Sequence, residues 1–209
     1  EVLVPSFTFV ATANSVKSVG AKPIFVDILK DNYTMDPEDL KKKITRRTKA
    51  IIPVHLYGHM AYMYEILEIA KKKNIKIIED ASQSLGSKLK GKHSGTFSDL
   101  GCFSLYGGKI ITSGEGGAIV TNNKKLFEKL KQVRNHGLTK NNLITTLGLN
   151  LRLSELSASI AKIQMKKLPR LLSQRKKNAQ ILTDLLKNED VILPEQRKNE
   201  IVNWYLYTI

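Results

Sequence analysis

Short apolar runs that alternate with helix-like segments restrict the fold of this sequence more than any other feature. Six runs are predicted as β-strands, at residues 1–4, 23–27, 50–54, 75–78, 100–105 and 118–121. The segments predicted as helices are residues 8–19, the residues that follow Asp36, 59–74 and 124–135. Short strands with few polar positions are typical of a parallel sheet that carries helices on both faces. The predicted fold class is α/β, with a mainly parallel, mixed sheet sandwiched by helices.

The C-terminal part departs from this alternation. Residues 141–153 show no regular pattern, and a long helical tract is predicted from Ser154, which Pro169 should kink or interrupt. Beyond residue 190 the pattern becomes alternating and aromatic, which predicts the first strands of a smaller C-terminal α/β domain. These strands are expected at residues 191–193 and 201–209.

The expected domains are a large domain at residues 1–153, a connecting helical tract at 154–190 and the beginning of a small domain at 191–209. Because the first and last residues fall inside predicted strands, both ends of the chain are expected to be cut.

The glycine-rich stretch at residues 98–117, SDLGCFSLYGGKIITSGEGG, contains the most reactive candidate side chain. Lys109 lies between two glycines and two isoleucines, where partial desolvation would lower the pKa of its amine and favour the nucleophilic form. A lysine that forms a Schiff base needs this environment. The stretch alone is equally typical of a strand, a glycine turn and a surface lysine, and its spacing is not that of a P-loop.

Composition argues against several other classes of protein. The single cysteine, Cys102, excludes an internal disulfide, and no run resembles a membrane span or a signal peptide, so a cytoplasmic location is expected. A net charge of +15 is compatible with nucleic-acid binding, but the basic residues form short clusters without interleaved aromatic residues. Solvated helix faces explain these clusters more simply, and the charge would attract an anionic substrate. The four histidines lack metal-ligand spacing, so no metal site is predicted.

Polar side chains follow three of the predicted strands at their carboxyl ends. These residues are His55, Asp80 and Ser104. Ligands of parallel α/β sheets bind at this edge, and the loop that contains Lys109 is expected to join it. The sequence therefore predicts one site there.

Motifs in one order along the chain identify a family. They are VPSFTFVATAN at residues 4–14, EDASQ at 79–83, CFS at 102–104, GGK at 107–109, GEGG at 114–117 and LGLNLRLSELSA at 147–158. With these motifs the chain resembles the DegT/DnrJ/EryC1/StrS family of sugar aminotransferases over nearly its whole length. The resemblance implies the fold of aspartate aminotransferase (fold type I) and pyridoxal 5'-phosphate (PLP) as the cofactor.

The resemblance assigns roles to five residues of one site. Lys109 matches the lysine that binds the cofactor covalently, and Asp80 matches the carboxylate that faces the pyridine nitrogen. Gln83 matches a residue near the ring hydroxyl, Phe9 the aromatic residue that stacks on the ring, and Ser104 a phosphate ligand. Apart from this resemblance, each side chain has an ordinary structural explanation, such as a helix cap or a core aromatic residue.

A sixth assignment concerns a second subunit. Asn150 matches an asparagine that reaches the phosphate bound by the neighbouring subunit. The resemblance therefore implies a homodimer with shared active sites.

The sequence departs from the family pattern in two places. The family usually has His-Pro-Thr or a similar tripeptide before the lysine, whereas this chain has Tyr106, Gly107 and Gly108. A Ser-Gly-Thr turn that holds the cofactor phosphate at a helix N-terminus has no counterpart here. The loss of its charge-assisted hydrogen bonds would weaken binding by ~3 kcal/mol. We therefore expect the 209-residue chain alone to bind PLP weakly and to aggregate, and an N-terminally extended chain to form a soluble yellow dimer.

The implied activity is transfer of an amino group, with glutamate as the implied donor, to a keto group of a nucleotide-linked sugar. Two alternatives stay open. A sugar dehydratase of the same family has histidine in place of the cofactor lysine, so Lys109 argues against it. A non-catalytic or regulatory member would keep the fold without a productive cofactor, and a colourless purified protein would indicate it.

Overall fold

The computed structural model describes residues 1–209 and contains five α-helices and nine β-strands. The helices are α1 (Ala11–Ser18), α2 (Pro37–Lys43), α3 (Met63–Lys73), α4 (Lys124–Arg134) and α5 (Glu155–Leu186). The strands are β1 (Val2–Pro5), β2 (Pro23–Val26), β3 (Ala50–Ile51), β4 (Lys76–Asp80), β5 (Lys88–Leu89), β6 (Lys92–His93), β7 (Leu100–Ser104), β8 (Gly117–Val120) and β9 (Glu200–Ile201). None of the helices combines the length and the apolar composition that a membrane crossing requires.

The main sheet has six strands in the order β2-β1-β3-β4-β7-β8. The first five are parallel to one another, whereas β8 is antiparallel to β7. All six predicted strands are present, and the predicted mainly parallel, mixed sheet is confirmed. A small antiparallel sheet, β6-β5-β9, was not predicted. Its hairpin turns at Lys90 and Gly91, whose φ angles of 49° and 79° are typical of a type I′ turn.

Helices cover both faces of the main sheet. Leu3 belongs to the main core of 14 buried side chains, together with Leu40 of α2 and Ile66 of α3. Its neighbour Val4 packs instead with Val16 of α1. Because successive side chains of a strand point to opposite faces, α2 and α3 lie on one face of the sheet and α1 lies on the other. The predicted α/β sandwich is confirmed.

Helix α5 runs without interruption from Glu155 to Leu186 and contains Pro169. Of the two outcomes expected at Pro169, the interruption is wrong, because a proline removes only one backbone donor and strains only the turn before it. A helix of 32 residues keeps its other hydrogen bonds on both sides of that point. The kink stays a prediction.

The strands predicted at residues 191–193 and 201–209 are largely wrong. Only the two residues of β9 form a strand, because they alone find a partner, in β5. Side chains bind residues 191–209 to the rest of the chain. The carboxylate of Glu200, for example, accepts a hydrogen bond from the backbone nitrogen of Met60 at 2.5 Å. The limits of a separate C-terminal domain stay a prediction.

The buried carboxylate of Glu79 in β4 ties several segments together. It accepts a hydrogen bond from Nε2 of His55 at 3.0 Å and four more, at 2.7 to 2.8 Å, from donors within residues 95–98. Nδ1 of His55 accepts from the backbone nitrogen of Ala61 at 3.1 Å, so Nε2 carries the proton donated to Glu79. Burial by itself would raise the pKa of Glu79, but these donors outweigh it and hold the pKa below its ordinary value.

Glu79→Gln should lower the free energy of unfolding by about 3 kcal/mol at neutral pH, because buried N–H groups would lose their acceptor. The lowered pKa adds a pH dependence. The stabilisation is present above the pKa of the unfolded state and is lost as the pH falls through the folded-state pKa. Below about pH 4.5 the parent should therefore lose stability more steeply than the variant.

Urea unfolding at neutral and acidic pH measures both effects. Glu68→Gln is the control, since it alters only an exposed ion pair with Lys72, and it should unfold like the parent. If Glu79→Gln also unfolded like the parent at every pH, Glu79 would not have this stabilising role.

Candidate active site

A cavity of about 510 Å³ opens at the carboxyl ends of the main-sheet strands, where the sequence predicts a ligand site. Five of the six predicted site residues line it: Phe9, Asp80, Gln83, Ser104 and Lys109. They come from the connection between β1 and α1, the ends of β4 and β7, and the loops that follow those strands. The parallel sheet therefore brings together side chains that are far apart in the sequence.

Asp80 is the last residue of β4, and both oxygens of its carboxylate accept hydrogen bonds. Oγ1 of Thr12, on the first turn of α1, donates to Oδ2 at 2.9 Å. The backbone nitrogen of Ser82 donates to Oδ1 at 3.1 Å. Both donors are neutral, so they orient the carboxylate without compensating its charge. Asp80 can thus present a negative charge to a ligand in the cavity.

Lys109 lies in the loop between β7 and β8 with its amine partly buried. Its Nζ lies 4.9 Å from the centroid of the Tyr205 ring. Burial lowers the pKa of Lys109 below its ordinary value, and the negative charge of Asp80 opposes this shift. The lowered pKa predicted from the sequence is confirmed, and it increases the fraction of the amine that is neutral and nucleophilic.

The side-chain oxygen of Gln83 accepts a hydrogen bond from the backbone nitrogen of Tyr57 at 2.8 Å. Tyr57 has a left-handed backbone with φ of 56°, which a tyrosine adopts only where its surroundings impose it. The adjacent Gly58 has φ of +102°, and a Cβ there would lie 2.0 Å from the side-chain oxygen of Asn203. Because its oxygen is engaged, Gln83 has its Nε2 group left to donate to a ligand.

Ser104 and Phe9 supply a hydroxyl group and an aromatic face. Oγ of Ser104, at the end of β7, accepts from the backbone nitrogen of Tyr106 at 3.3 Å, which leaves its proton to be donated. Phe9 leaves 71% of its surface exposed, unusually much for phenylalanine. An exposed ring on a cavity wall can stack on a planar ligand.

Asn150 lies outside the cavity. It is exposed and forms an isolated bridge with Asn135. Its neighbours on the same segment expose apolar side chains: Leu147 is 87% exposed, and Leu149 and Leu151 are each 59% exposed. Within one chain Asn150 is therefore separate from the other five site residues, and its role stays a prediction.

Sequence reasoning missed Thr12 and Tyr205, which line the cavity, and Tyr57, whose backbone nitrogen holds the side chain of Gln83. Thr12 could have been found from its spacing, because Thr8 and Thr12 are four residues apart near the start of a predicted helix and so share one face. In the structure both line the cavity. Tyr57 and Tyr205 had no such signal. Tyr205 comes from a segment that the sequence pattern assigns to a separate domain.

Other reactive groups near the cavity are poor candidates for its chemistry. Burial raises the pKa of the Cys102 thiol to about 11, and the nearby carboxylates of Asp80 and Glu79 add to this effect, so the thiol stays protonated. His55 follows its strand as expected, but it is fully buried against Glu79. No group of three or more His, Cys, Asp or Glu side chains could hold a metal ion.

A family model described as the DegT/DnrJ/EryC1/StrS aminotransferase family matches residues 1–209. GDP-perosamine synthase of Escherichia coli O157:H7 is 41% identical over 183 residues, which cover 87% of this chain and 50% of that protein. A protein of Geobacillus stearothermophilus named pleiotropic regulatory protein is 39% identical over 213 residues, which cover 100% of this chain and 57% of that protein.

The solved structures include that of S. venezuelae DesV in complex with a ketimine intermediate. It matches with a TM-score of 0.95 and 36% identity, over 99% of this chain and 56% of that chain. The chain thus spans about half the length of the curated relative and of the structure that it matches.

The pKa of Lys109 can be tested by labelling its amine across a range of pH in protein without cofactor. The labelling midpoint should be lower in the folded protein than in urea, because burial disfavours the ammonium form. Asp80→Asn should lower the folded-state midpoint further, since it removes a negative charge that stabilises the ammonium form. At a fixed pH below the midpoint, Lys109 of this variant should label severalfold faster.

The matched control is Asp99→Asn, which removes a partly buried carboxylate that pairs with Lys76. It should leave the Lys109 midpoint unchanged. A midpoint that rose in Asp80→Asn would contradict the charge interaction described above.

Proposed function

This chain belongs to the DegT/DnrJ/EryC1/StrS aminotransferase family, and we propose that it carries the active site of a PLP-dependent sugar aminotransferase. The observation that carries this proposal is the placement of the Lys109 amine and the Asp80 carboxylate in one cavity. The proposed substrate is a keto sugar linked to a nucleotide, and the proposed amino donor is glutamate. The name of the relative GDP-perosamine synthase supports this substrate class.

The side chains of the cavity fit PLP at its ring end. Lys109 offers the aldehyde carbon an amine whose pKa is lowered by burial, and Asp80 offers an oriented carboxylate to the ring nitrogen. Gln83 has an amide donor for the ring oxygen, and Phe9 has an exposed face for the ring. At the phosphate end the cavity of this chain provides the Ser104 hydroxyl.

When bound, PLP supplies an electron sink that stabilises negative charge at the carbon that loses a proton. Asp80 would hold a proton on the ring nitrogen, because a carboxylate beside that nitrogen favours its protonated form. The Lys109 amine, in its neutral form, would take a proton from one carbon atom and return it to another. Both covalent attachment and proton uptake require the neutral amine, so the partial burial of Lys109 assists both.

A non-catalytic, regulatory role is the second candidate function. The relative from Geobacillus stearothermophilus named pleiotropic regulatory protein favours it. The lowered pKa of Lys109 favours the enzyme instead, since a scaffold that binds no cofactor gains nothing from a nucleophilic amine. A dehydratase stays disfavoured because Lys109 is present.

We further propose that two subunits share each site through Asn150. The support is the exposure of Asn150 within a segment of exposed leucines that a second subunit would cover. Asn150 of one subunit would then complete the phosphate end of the site that contains Lys109 of the other.

Covalent attachment should occur at Lys109. After addition of PLP and reduction with borohydride, peptide mass spectrometry should find the cofactor on Lys109, and Lys109→Ala should abolish this modification because its nucleophile is gone. Lys92→Ala is the matched control, since Nζ of Lys92 also lies 4.9 Å from an aromatic ring centroid, that of Phe97, but away from the cavity. Modification spread over surface lysines and unaffected by Lys109→Ala would refute the assignment.

Shared sites should allow two inactive variants to complement each other. Lys109→Ala and Asn150→Ala should each lose most activity alone. When their subunits are mixed, each hybrid dimer regains one intact site, so an equal mixture should reach about a quarter of the parental activity. Activity that stays at the sum of the two separate variants would show that Asn150 acts within its own subunit or outside the site.

A further inference from the structure

The segment that follows β9 reaches back to the cavity and places Tyr205 beside Lys109. We propose that Tyr205 is a positioning residue whose ring face holds the ammonium form of Lys109 at one wall of the cavity. The use of this contact in catalysis rests on the proposed function, but the contact itself does not depend on a cofactor.

The geometry of the pair is that of an ammonium group over an aromatic ring. Nζ of Lys109 lies 4.9 Å from the ring centroid of Tyr205, within the ~6 Å over which the negative face of a ring attracts a cation. Both side chains line the main cavity and also a neighbouring cavity of about 10 Å³. The ring and the amine therefore share one part of the cavity wall.

Tyr205 is held in place by the side chains of two residues. Oδ1 of Asn203 accepts from the backbone nitrogen of Tyr205 at 3.0 Å, and Nδ2 of Asn203 donates to the carbonyl of Gln83 at 2.9 Å. Nη1 of Arg175, on α5, donates to the carbonyls of Trp204 and Tyr205 at 3.0 and 3.1 Å. The left-handed φ of 52° at Trp204 shows that the surrounding contacts impose this path on the backbone.

The ring acts on the amine in two opposite directions. Its bulk excludes water and disfavours the ammonium form, while its negative face favours that form. The other titratable side chains that line the cavity with Lys109 are Asp80, Tyr106 and Glu115. A residue of similar bulk without a π face would keep the burial and lose the attraction, so the neutral fraction of Lys109 would increase.

The test is the pH profile of Lys109 amine labelling in protein without cofactor. The midpoint reports the ammonium equilibrium, and the limiting rate at high pH reports access to the amine. Tyr205→Leu should move the midpoint to lower pH, so that the neutral fraction at a fixed pH below it rises about threefold. Tyr205→Phe keeps the ring face and should reproduce the parental profile.

Two further variants separate this contact from a general disturbance of the segment. Tyr207→Leu removes a ring that stacks on Trp204, on the same segment, and should leave the Lys109 midpoint unchanged. Tyr205→Met is a second substitution that keeps much of the bulk and removes the π face, so it should move the midpoint in the same direction as Tyr205→Leu. This variant keeps the test available if circular dichroism shows that Tyr205→Leu does not fold.

The proposal is overturned if the midpoint in Tyr205→Leu is unchanged or higher, or if Tyr205→Phe or Tyr207→Leu shifts it as far as Tyr205→Leu does. An unchanged midpoint in Tyr205→Met, where Tyr205→Leu does not fold, overturns it as well. Because no cofactor is present, these outcomes are independent of whether the protein is an aminotransferase, which the borohydride experiment decides.

Discussion

The buried carboxylate of Glu79 is the interaction on which the arrangement of the cavity depends. Adjacent side chains of a strand point to opposite faces, so the donors that hold Glu79 inside the protein also direct Asp80 to the cavity. A shift of β4 by one residue would bury Asp80 among donors placed for a longer side chain. The same bonds hold the loop that contains Gly95 against β7, where a Cβ on Gly101 would lie 2.0 Å from the Gly95 carbonyl oxygen. Glu79 thus directs Asp80 to the cavity and also holds the loop that contains Gly95 against β7.

Most of the main sheet could be predicted from the sequence because buried parallel strands are short apolar runs with clear limits. The start of α2 was equally clear: Asp36 accepts a hydrogen bond from the backbone nitrogen of Glu38 at 2.8 Å, as an N-cap residue before a proline should. The choice of cavity residues came from the order of motifs. Their contacts, such as that of Thr12 with Asp80, depend on how α1 packs against the sheet and could not be predicted.

Residues 191–209 were predicted less well, because an alternating pattern indicates a strand but does not indicate whether a partner strand lies beside it. Residues 201–209 have the composition of a strand, yet after β9 they are held by side chains such as Asn203 instead of a backbone ladder. The hairpin at Lys90 and Gly91 was missed for the opposite reason, since its strands of two residues are too short to produce a pattern. Long-range pairing with β5 decided the first case, and periodicity in the sequence does not contain it.

The contact between Tyr205 and Lys109 joins residues that are separated by almost half of the chain. During synthesis on a ribosome, the strands and the glycine loop emerge first, and the amine is made well before the ring that lies beside it. Until the segment with Asn203 and Tyr205 has emerged and docked, the newly made lysine faces water on that side. Completion of this wall therefore has to follow the synthesis of Tyr205, well after the strands and the glycine loop have left the ribosome.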